Sequence, residues 1–563
     1  MRPHRAALAL VTAAATALTL APTAGAAAGA GNATSSTTGR LLVTLKAPDG
    51  ARTLRAAGAT IAGTGVEVAG PVADALRLVT VRPVAGLGMQ AAATALRALP
   101  QVESVEVERR ARLRFVPDDP ALTTLETAPR TPPGVPVQWW VAGENLPALW
   151  DVTRGSGARV AVIDTGADST HPELAGKIAQ GIDNDATAGA GGAGNDEIGH
   201  GTHVASIACA NAGNGAGITG AGLGCKVIVI KSDLSDSSIA MSIKQAVDAG
   251  ADSINMSFGT DGSQAAATPI VNAIDYAVNR GVILVAAAAD EPTEEQGDPS
   301  NVLQPTGSGS DITQGKGLSV TSADYGGARS PFAGLGSQVS IAAYGSFSTD
   351  AGPRGILAAF PTNTADLERP TFTSTGCGCR ATFGGDNRYA YIQGTSMAAP
   401  MVAAVAALIR DLNPGLSARQ VIQIMKQTAT RPAGTEWTPD LGWGIVNGGN
   451  AAALARTIDA TPPRTSVRSS TPKVVRGSSV TLRFNRVDEH PAKVVASGFK
   501  SLYVYRSTNG RKAVKIGSTT KSTFKVSIRR GSRYSFYTRG LDKAGNRETA
   551  PSRADVSIRG AAR

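Results

Sequence analysis

Residues 394–411, GTSMAAPMVAAVAALIRD, constrain this chain more than any other stretch. A Gly-Thr-Ser step opens a run with small and apolar residues on every side and no internal glycine. A helix that lacks a polar face over three or four turns is enclosed all round, so the run predicts the centre of a sizeable domain. Pro400 falls in its first turns, where a missing N–H does least damage. Ser396 therefore opens a buried helix, where unpaired N–H groups and the positive end of the dipole favour negative charge. A serine that attacks a carbonyl creates an oxyanion beside itself, so the position suits a nucleophile. A lone serine there is more often only a cap. The case for chemistry rests on its partners.

At 563 residues the chain has room for about three or four units. It begins with Arg2, His4 and Arg5, an apolar run from Ala6 to Ala21, Pro22, and the small residues Ala24-Gly25-Ala26. Residues 1–26 read as a secretory signal peptide, too short and alanine-rich for a membrane anchor. Apart from the buried helix, no later stretch is apolar for long enough to span a bilayer. The expectation is a protein released outside the cell. Four cysteines then predict disulfides, with three possible pairings. The local one joins Cys209 to Cys225 and Cys377 to Cys379, although a Cys-Gly-Cys bridge closes a tight ring. As a metal site the Cys-Gly-Cys pair lacks a nearby histidine or second pair.

Charge divides the chain. From Thr461 onward there are 23 Lys+Arg against 5 Asp+Glu, a net of +18; taken from the overall +11, this leaves −7 for residues 1–460. The Pro/Thr-rich join, residues 458–466, reads as a linker. Residues 467–563 contain short alternating segments such as SSVTLRF, KSLYVYRS and RYSFYTRGLD, which predict an all-β sandwich with a cationic solvent face. Such a face is expected either to be merely solvated or to hold a polyanion, such as an anionic wall polymer. No nucleic-acid motif is present, so sequence-specific nucleic-acid binding is not expected.

Residues 40–115 alternate as a small β-α-β-β-α-β unit, with ARTLRAA and AAATALRALP as its helices. Residues 116–137 are proline-rich and read as a connecting, cleavable segment. From Gln138 the chain becomes a βα alternation: RVAVID (159–164), HGTHVASIACA (200–210), KVIVIKS (226–232), a helix from Ser238 to Ala249 capped by Asp236 or Ser237, DSINMSFG (252–259) and GVILVAAAAD (281–290). Continuous apolar strands alternating with helices predict a parallel sheet covered on both faces, with functional groups beyond the strands' carboxyl ends. Asp164, Asn255–Gly259 and Asp290 lie at such ends, and His200 and Ser396 each open a helix. One rim gathers them all.

A serine hydroxyl is inert near neutrality unless a base takes its proton, and the imidazole needs a carboxylate to fix its tautomer. VAVIDTGADSTHPEL carries Asp164, GHGTHVAS carries His200 and GTSMAAP carries Ser396. With these motifs in the order Asp…His…Ser, the chain resembles the subtilisin-like serine proteases, or subtilases, from about Gln138 to Ala460. The resemblance implies a three-layer α/β catalytic domain over 138–457 with a mostly parallel sheet. In it Asp164 orients the base, His200 is the general base, Ser396 is the nucleophile and His203 is structural. Ser257, Phe258 and Gly259 match the substrate-binding edge strand, which pairs with an extended peptide. LGWGIVNGGNAA (441–452) is similar to the family's closing motif. Residues 40–115 resemble its propeptide, a ferredoxin-like α+β unit that inhibits the enzyme until self-cleavage between Arg114 and Pro136, with a mature start near Val116. The tail resembles Ig-like or fibronectin-III modules. The implied whole is a secreted, monomeric serine endopeptidase of broad specificity on protein and peptide substrates.

Three departures stand out. Asp290 occupies the place where the family has an asparagine that donates to the oxyanion, and an ionised carboxylate only accepts. Either a protonated Asp290 donates beside the Ser396 N–H, or another donor serves at reduced rate; the alternative is an inactive protein that binds peptides or polyanions. KSDLSDSS (231–238) is shorter than the family's loop, which leaves that side of the cleft more open. In the family's calcium loop, here NAGNGAGITGAG, Asn214 supplies a side-chain ligand and Ala216 and Ile218 carbonyls, while Glu173 replaces an aspartate; the oxygen set suits Ca²⁺. Asp183, Asp185, Asp196 and Glu197 are expected in a solvated loop rather than a second cation site.

Overall fold

Seven parallel strands form the central sheet, in the order Ile341–Tyr344, Leu318–Ala323, Ile283–Ala287, Ser253–Met256, Arg159–Asp164, Lys226–Ser232 and Ile178–Asn184. The computed structural model describes residues 37–47, 60–61, 65–84, 87–109, 116–186, 191–348, 350–370, 375–432, 434 and 436–561. Strand side chains alternate between faces. Val160 and Val162 join a buried cluster with the helices His200–Cys209 and Thr395–Leu412, while Ala161 and Ile163 join another with the helices Asp236–Asp248 and Thr268–Asn279. The result is the expected three-layer α/β arrangement.

The helix Thr395–Leu412 is, among the described residues, the one long and apolar enough to cross a membrane, yet 83% of its apolar window is buried inside the protein. Packing against the sheet accounts for its apolarity. The helix Asp236–Asp248 is capped by Ser235, whose hydroxyl accepts from Ser238 N at 3.4 Å, rather than by Asp236 or Ser237. The disulfides join Cys209 to Cys225 and Cys377 to Cys379. The first ties the end of the His200 helix to the entry of the neighbouring strand.

Residues 116–137 are not a loose connection. Asp119 is buried and accepts from Gly213 N at 2.8 Å, Ala121 N donates to Gly217 O at 3.1 Å, and Ala121, Val135 and Val137 join the main core. The segment is built into the catalytic body, which therefore begins near Val116 rather than at Gln138.

Ahead of it, a five-stranded antiparallel sheet runs in the order Thr60–Ile61, Val66–Ala73, Leu78–Pro83, Thr37–Leu45, Val102–Arg109. The helix Met89–Arg97 buries Ala92, Ala93 and Leu96. Residues 1–26, ARTLRAA and Arg114 lie outside the described residues. At the other end, the sheet of Arg464–Val467, Ser479–Val487 and Thr523–Ser527 shares one buried cluster with the five-stranded sheet built around Phe499–Thr508 and Arg533–Asp542. The join is packed rather than free: Asp459 accepts from Ser497 N at 2.7 Å, and the first strand of the tail starts at Arg464, inside the stretch expected as linker.

Candidate active site

The DTG and HGTH motifs are brought together by glycine. A Cβ on Gly201 would lie 2.0 Å from the carbonyl oxygen of Gly166, so only glycine lets the helix start rest on the loop after Asp164. His200, the first residue of that helix, then places Nδ1 2.7 Å from Asp164 Oδ1. Asp164 is buried, and its Oδ1 also accepts from Thr165 N at 2.8 Å. Burial alone would depress the His200 imidazole. The Asp164 carboxylate, with smaller contributions from Asp196 and Asp290, outweighs it and holds the His200 pKa above the usual value.

Asp196, expected in a solvated loop, is instead almost fully buried. It accepts from Gly199 N at 2.8 Å, Thr202 N at 2.7 Å, Thr202 Oγ1 at 2.6 Å and Thr165 Oγ1 at 2.8 Å. A carboxylate thus caps the His200 helix and ties it to the residue after Asp164. Its neighbour Glu197 pairs with Lys231, which lies opposite Asp164 in the sheet register. His203, one turn along, has different partners from His200 and donates only to backbone carbonyls. Its Nε2 lies 3.1 Å from both Ile356 O and Ala390 O, and burial depresses its pKa to about 3. It ties the helix to the small sheet of Ile356–Ala359 and Asp386–Ile392.

Ser396 stands second in its helix. Its hydroxyl donates to Ser257 O at 3.0 Å, while the Ser257 hydroxyl donates to Ser396 O at 2.9 Å. Ser257 is held in turn by Asn255 Nδ2 at 2.9 Å. Phe258 is half-buried and Gly259 exposed, immediately beyond the carboxyl end of Ser253–Met256. Among the described residues the Ser396 hydroxyl thus bonds the Ser257 carbonyl rather than His200.

Asp290 lies where the strand Ile283–Ala287 runs out, and its Oδ1 accepts from Thr395 N at 2.8 Å and Thr395 Oγ1 at 2.9 Å. Oδ1 is therefore an acceptor that caps the serine helix. A Cβ on Gly394 would come within 3.1 Å of Oδ2, so glycine leaves that oxygen room.

The loop after the His200 helix meets a second group of oxygens. Asn214 Oδ1 accepts from Ala216 N at 3.1 Å; Glu173 Oε1 accepts from Ile218 N at 2.9 Å and from the Tyr389 hydroxyl at 2.7 Å. Glu173 Oε2 is buried with no hydrogen-bond partner among the described residues. Burial pushes Glu173 up to about 7, and Asp119, raised chiefly by burial, adds to it by repulsion. Among the described residues no group of three or more His, Cys, Asp or Glu is placed to hold a metal. What is available is two carboxylates with amide and carbonyl oxygens. Reading the sequence missed Asp119 and the capping role of Asp196, and neither has a local signal beyond an acid beside the motif.

The site and sheet define a serine-type endopeptidase on an α/β fold. A profile of the Subtilase family, Peptidase S8, matches residues 155–444, and the chain belongs to that family. It is similar to thermitase of Thermoactinomyces vulgaris, at 31% identity over 330 residues that cover 57% of this chain and 94% of that one. A thermophilic serine proteinase of Bacillus sp. (strain AK1) is 33% identical over 297 residues, 51% of this chain and 60% of the relative. An extracellular protease of Xanthomonas campestris pv. campestris is 30% identical over 405 residues, 64% of this chain and 60% of the relative.

Proposed function

We propose that the chain is a secreted, self-processing subtilase that cleaves peptide bonds through Asp164, His200 and Ser396. The observation that carries this reading is the 2.7 Å bond from His200 to buried Asp164, on the rim where the serine helix also begins. An extended peptide pairs with Ser257–Gly259. His200 takes the Ser396 proton as Oγ attacks the carbonyl carbon, and the imidazolium is stabilised by Asp164. The tetrahedral oxyanion faces the start of the Ser396 helix and its first N–H groups, while Asp290 beside it, as a carboxylate, accepts rather than donates and so slows the step. His200 then gives its proton to the leaving amine, and water, activated by the same imidazole, releases the acyl group. Broad specificity is the expectation. Residues 40–115 act as the intramolecular inhibitor, removed by cleavage ahead of Val116. A relative named as an extracellular protease supports an extracellular location.

The test is the mass of the protein beside its Ser396→Ala variant. The wild type should lose the residues ahead of about Val116, and Ser396→Ala should retain them, with peptide hydrolysis down by roughly 10⁶. Retention of the full mass in both, with no hydrolysis, would favour a peptide-binding protein on this fold.

Calcium is proposed at the Asn214 loop. The unpartnered Glu173 Oε2, Asp119, Asn214 Oδ1 and the Ala216 and Ile218 carbonyls fit a hard cation, which would neutralise two carboxylates that otherwise repel. Millimolar Ca²⁺ should raise the melting temperature of Ser396→Ala by several degrees over an EDTA-treated sample. Glu173→Ala should abolish the difference; an undiminished shift would place the ion elsewhere.

A further inference from the structure

The tail carries a cationic sheet that no carboxylate among the described residues neutralises through an ion pair. Among the described residues from 461 onward, no lysine or arginine lies within ion-pair distance of a carboxylate; the ion pairs there involve only His490. The acids are spent otherwise. Glu548 accepts from Thr465 N and Gly540 N, Asp555 from Val467 N and Thr538 N, and buried Asp542 from Asn546.

The charge has a patterned face. Along Arg533–Asp542 the residues alternate strictly between buried and outward, so Arg533, Ser535, Tyr537 and Arg539 point away from the core. Register sets Tyr503 beside Arg539, Tyr505 beside both Tyr537 and Lys515, Ser507 beside Ser535, and Arg533 beside Arg559. From Arg539 to Arg533 the row runs about 20 Å at the usual strand rise. Its aromatic rings are already engaged. Tyr505 and Tyr537 stack on each other, with centroids 4.7 Å apart and planes 4° from parallel, and Tyr503 has Lys515 Nζ at 3.9 Å and the Arg547 guanidinium at 4.9 Å over its ring.

That engagement decides the kind of partner. Binding single-stranded nucleic acid needs ring faces on which bases stack. Here the cations cover the Tyr503 ring, and Tyr505 and Tyr537 cover each other. What faces outward is a row of fixed cations with hydroxyls from serine and tyrosine between them. Such a surface suits repeated acidic groups on a hydroxyl-rich chain. The geometry points to an anionic polysaccharide, carrying carboxylate or phosphodiester groups, as the ligand of the outer face of the five-stranded sheet. The face would hold the peptidase on an acidic glycan matrix while the catalytic rim works on protein. This inference does not depend on the protease mechanism.

The full chain carrying Ser396→Ala, which prevents self-digestion, is passed over immobilised polygalacturonate, a glycan phosphodiester polymer, neutral dextran and single-stranded DNA. Retention on one or both acidic glycans, weakening from 0.05 to 0.5 M NaCl, is expected, with dextran inert; the stronger of the two identifies the acid group. Adding Lys515→Ser, Arg533→Ser and Arg547→Ser together should weaken glycan binding at least tenfold. The charge-matched control Arg464→Ser, Arg483→Ser and Lys525→Ser, on the three-stranded sheet, should change it less than twofold. Melting temperatures establish that both variants are folded. Equal losses in the two variants, retention on neither acidic glycan, or tighter binding to DNA would overturn the assignment.

Discussion

Two helices begin on the catalytic rim, and each begins against an aspartate. Asp196, ahead of His200, is buried and saturated by four donors; Asp290, ahead of Ser396, is exposed and spends one oxygen on Thr395. The same physics operates at both, since a helix N-terminus attracts negative charge. The consequences differ because the proposed reaction asks different things of the two ends. In that reaction His200 becomes positive, so a fixed negative charge at the start of its helix supports it. At the Ser396 helix the proposed negative charge belongs to the transition state, so a permanent carboxylate competes for the site the oxyanion needs. Placing an anion at a helix start helps one half of this mechanism and opposes the other.

The comparison breaks most visibly at Asp196. Asp196→Asn puts an amide among donors that need an acceptor, so about 3 kcal/mol of stability should be lost. The displaced His200 should cost roughly 10² in kcat/KM. With one negative neighbour gone, the His200 pKa should also fall, which moves the acid limb of the pH–rate profile to lower pH. Chemical denaturation and kinetics from pH 4 to 10 measure all three, and a rate loss without the pH shift would make Asp196 a structural cap alone.

A smaller effect sharpens the contrast within the His200 helix. Burial depresses His203 to about 3, so between that pH and its usual value of 6.5 the unfolded chain binds a proton that the folded chain refuses. The contribution is complete above about pH 6.5 and is lost as pH falls towards 3. In a Ser396→Ala background, His203→Gln should be less stable at pH 7 but should lose less further stability between pH 7 and 4.5. An equally steep acid loss in both proteins would assign it to other groups.

Much of this was legible in the sequence. The unbroken apolarity of the Thr395–Leu412 helix and the continuous strands required a covered parallel sheet, and three short motifs in order located Asp164, His200 and Ser396 on one rim. What was not legible depends on contacts between distant residues. Asp196 stands in a polar, glycine-rich stretch that looks solvated until Thr165 and Thr202 close over it. Residues 116–137 have the composition of a linker, but Asp119 is fixed by backbone N–H groups nearly a hundred residues away. The cysteine pairing was equally open, because spacing says nothing about which helix end meets which strand.

The most direct measurement is kcat/KM against pH for Asp290→Asn beside the wild type. If Asp290 holds a charge where the oxyanion forms, the amide should raise the rate at pH 7.5 by roughly 10². The acid limb should also move down as His200 loses a negative neighbour. An unchanged or lower rate across the whole range would contradict the account, and Asp290 would then be a helix cap with no part in the chemistry.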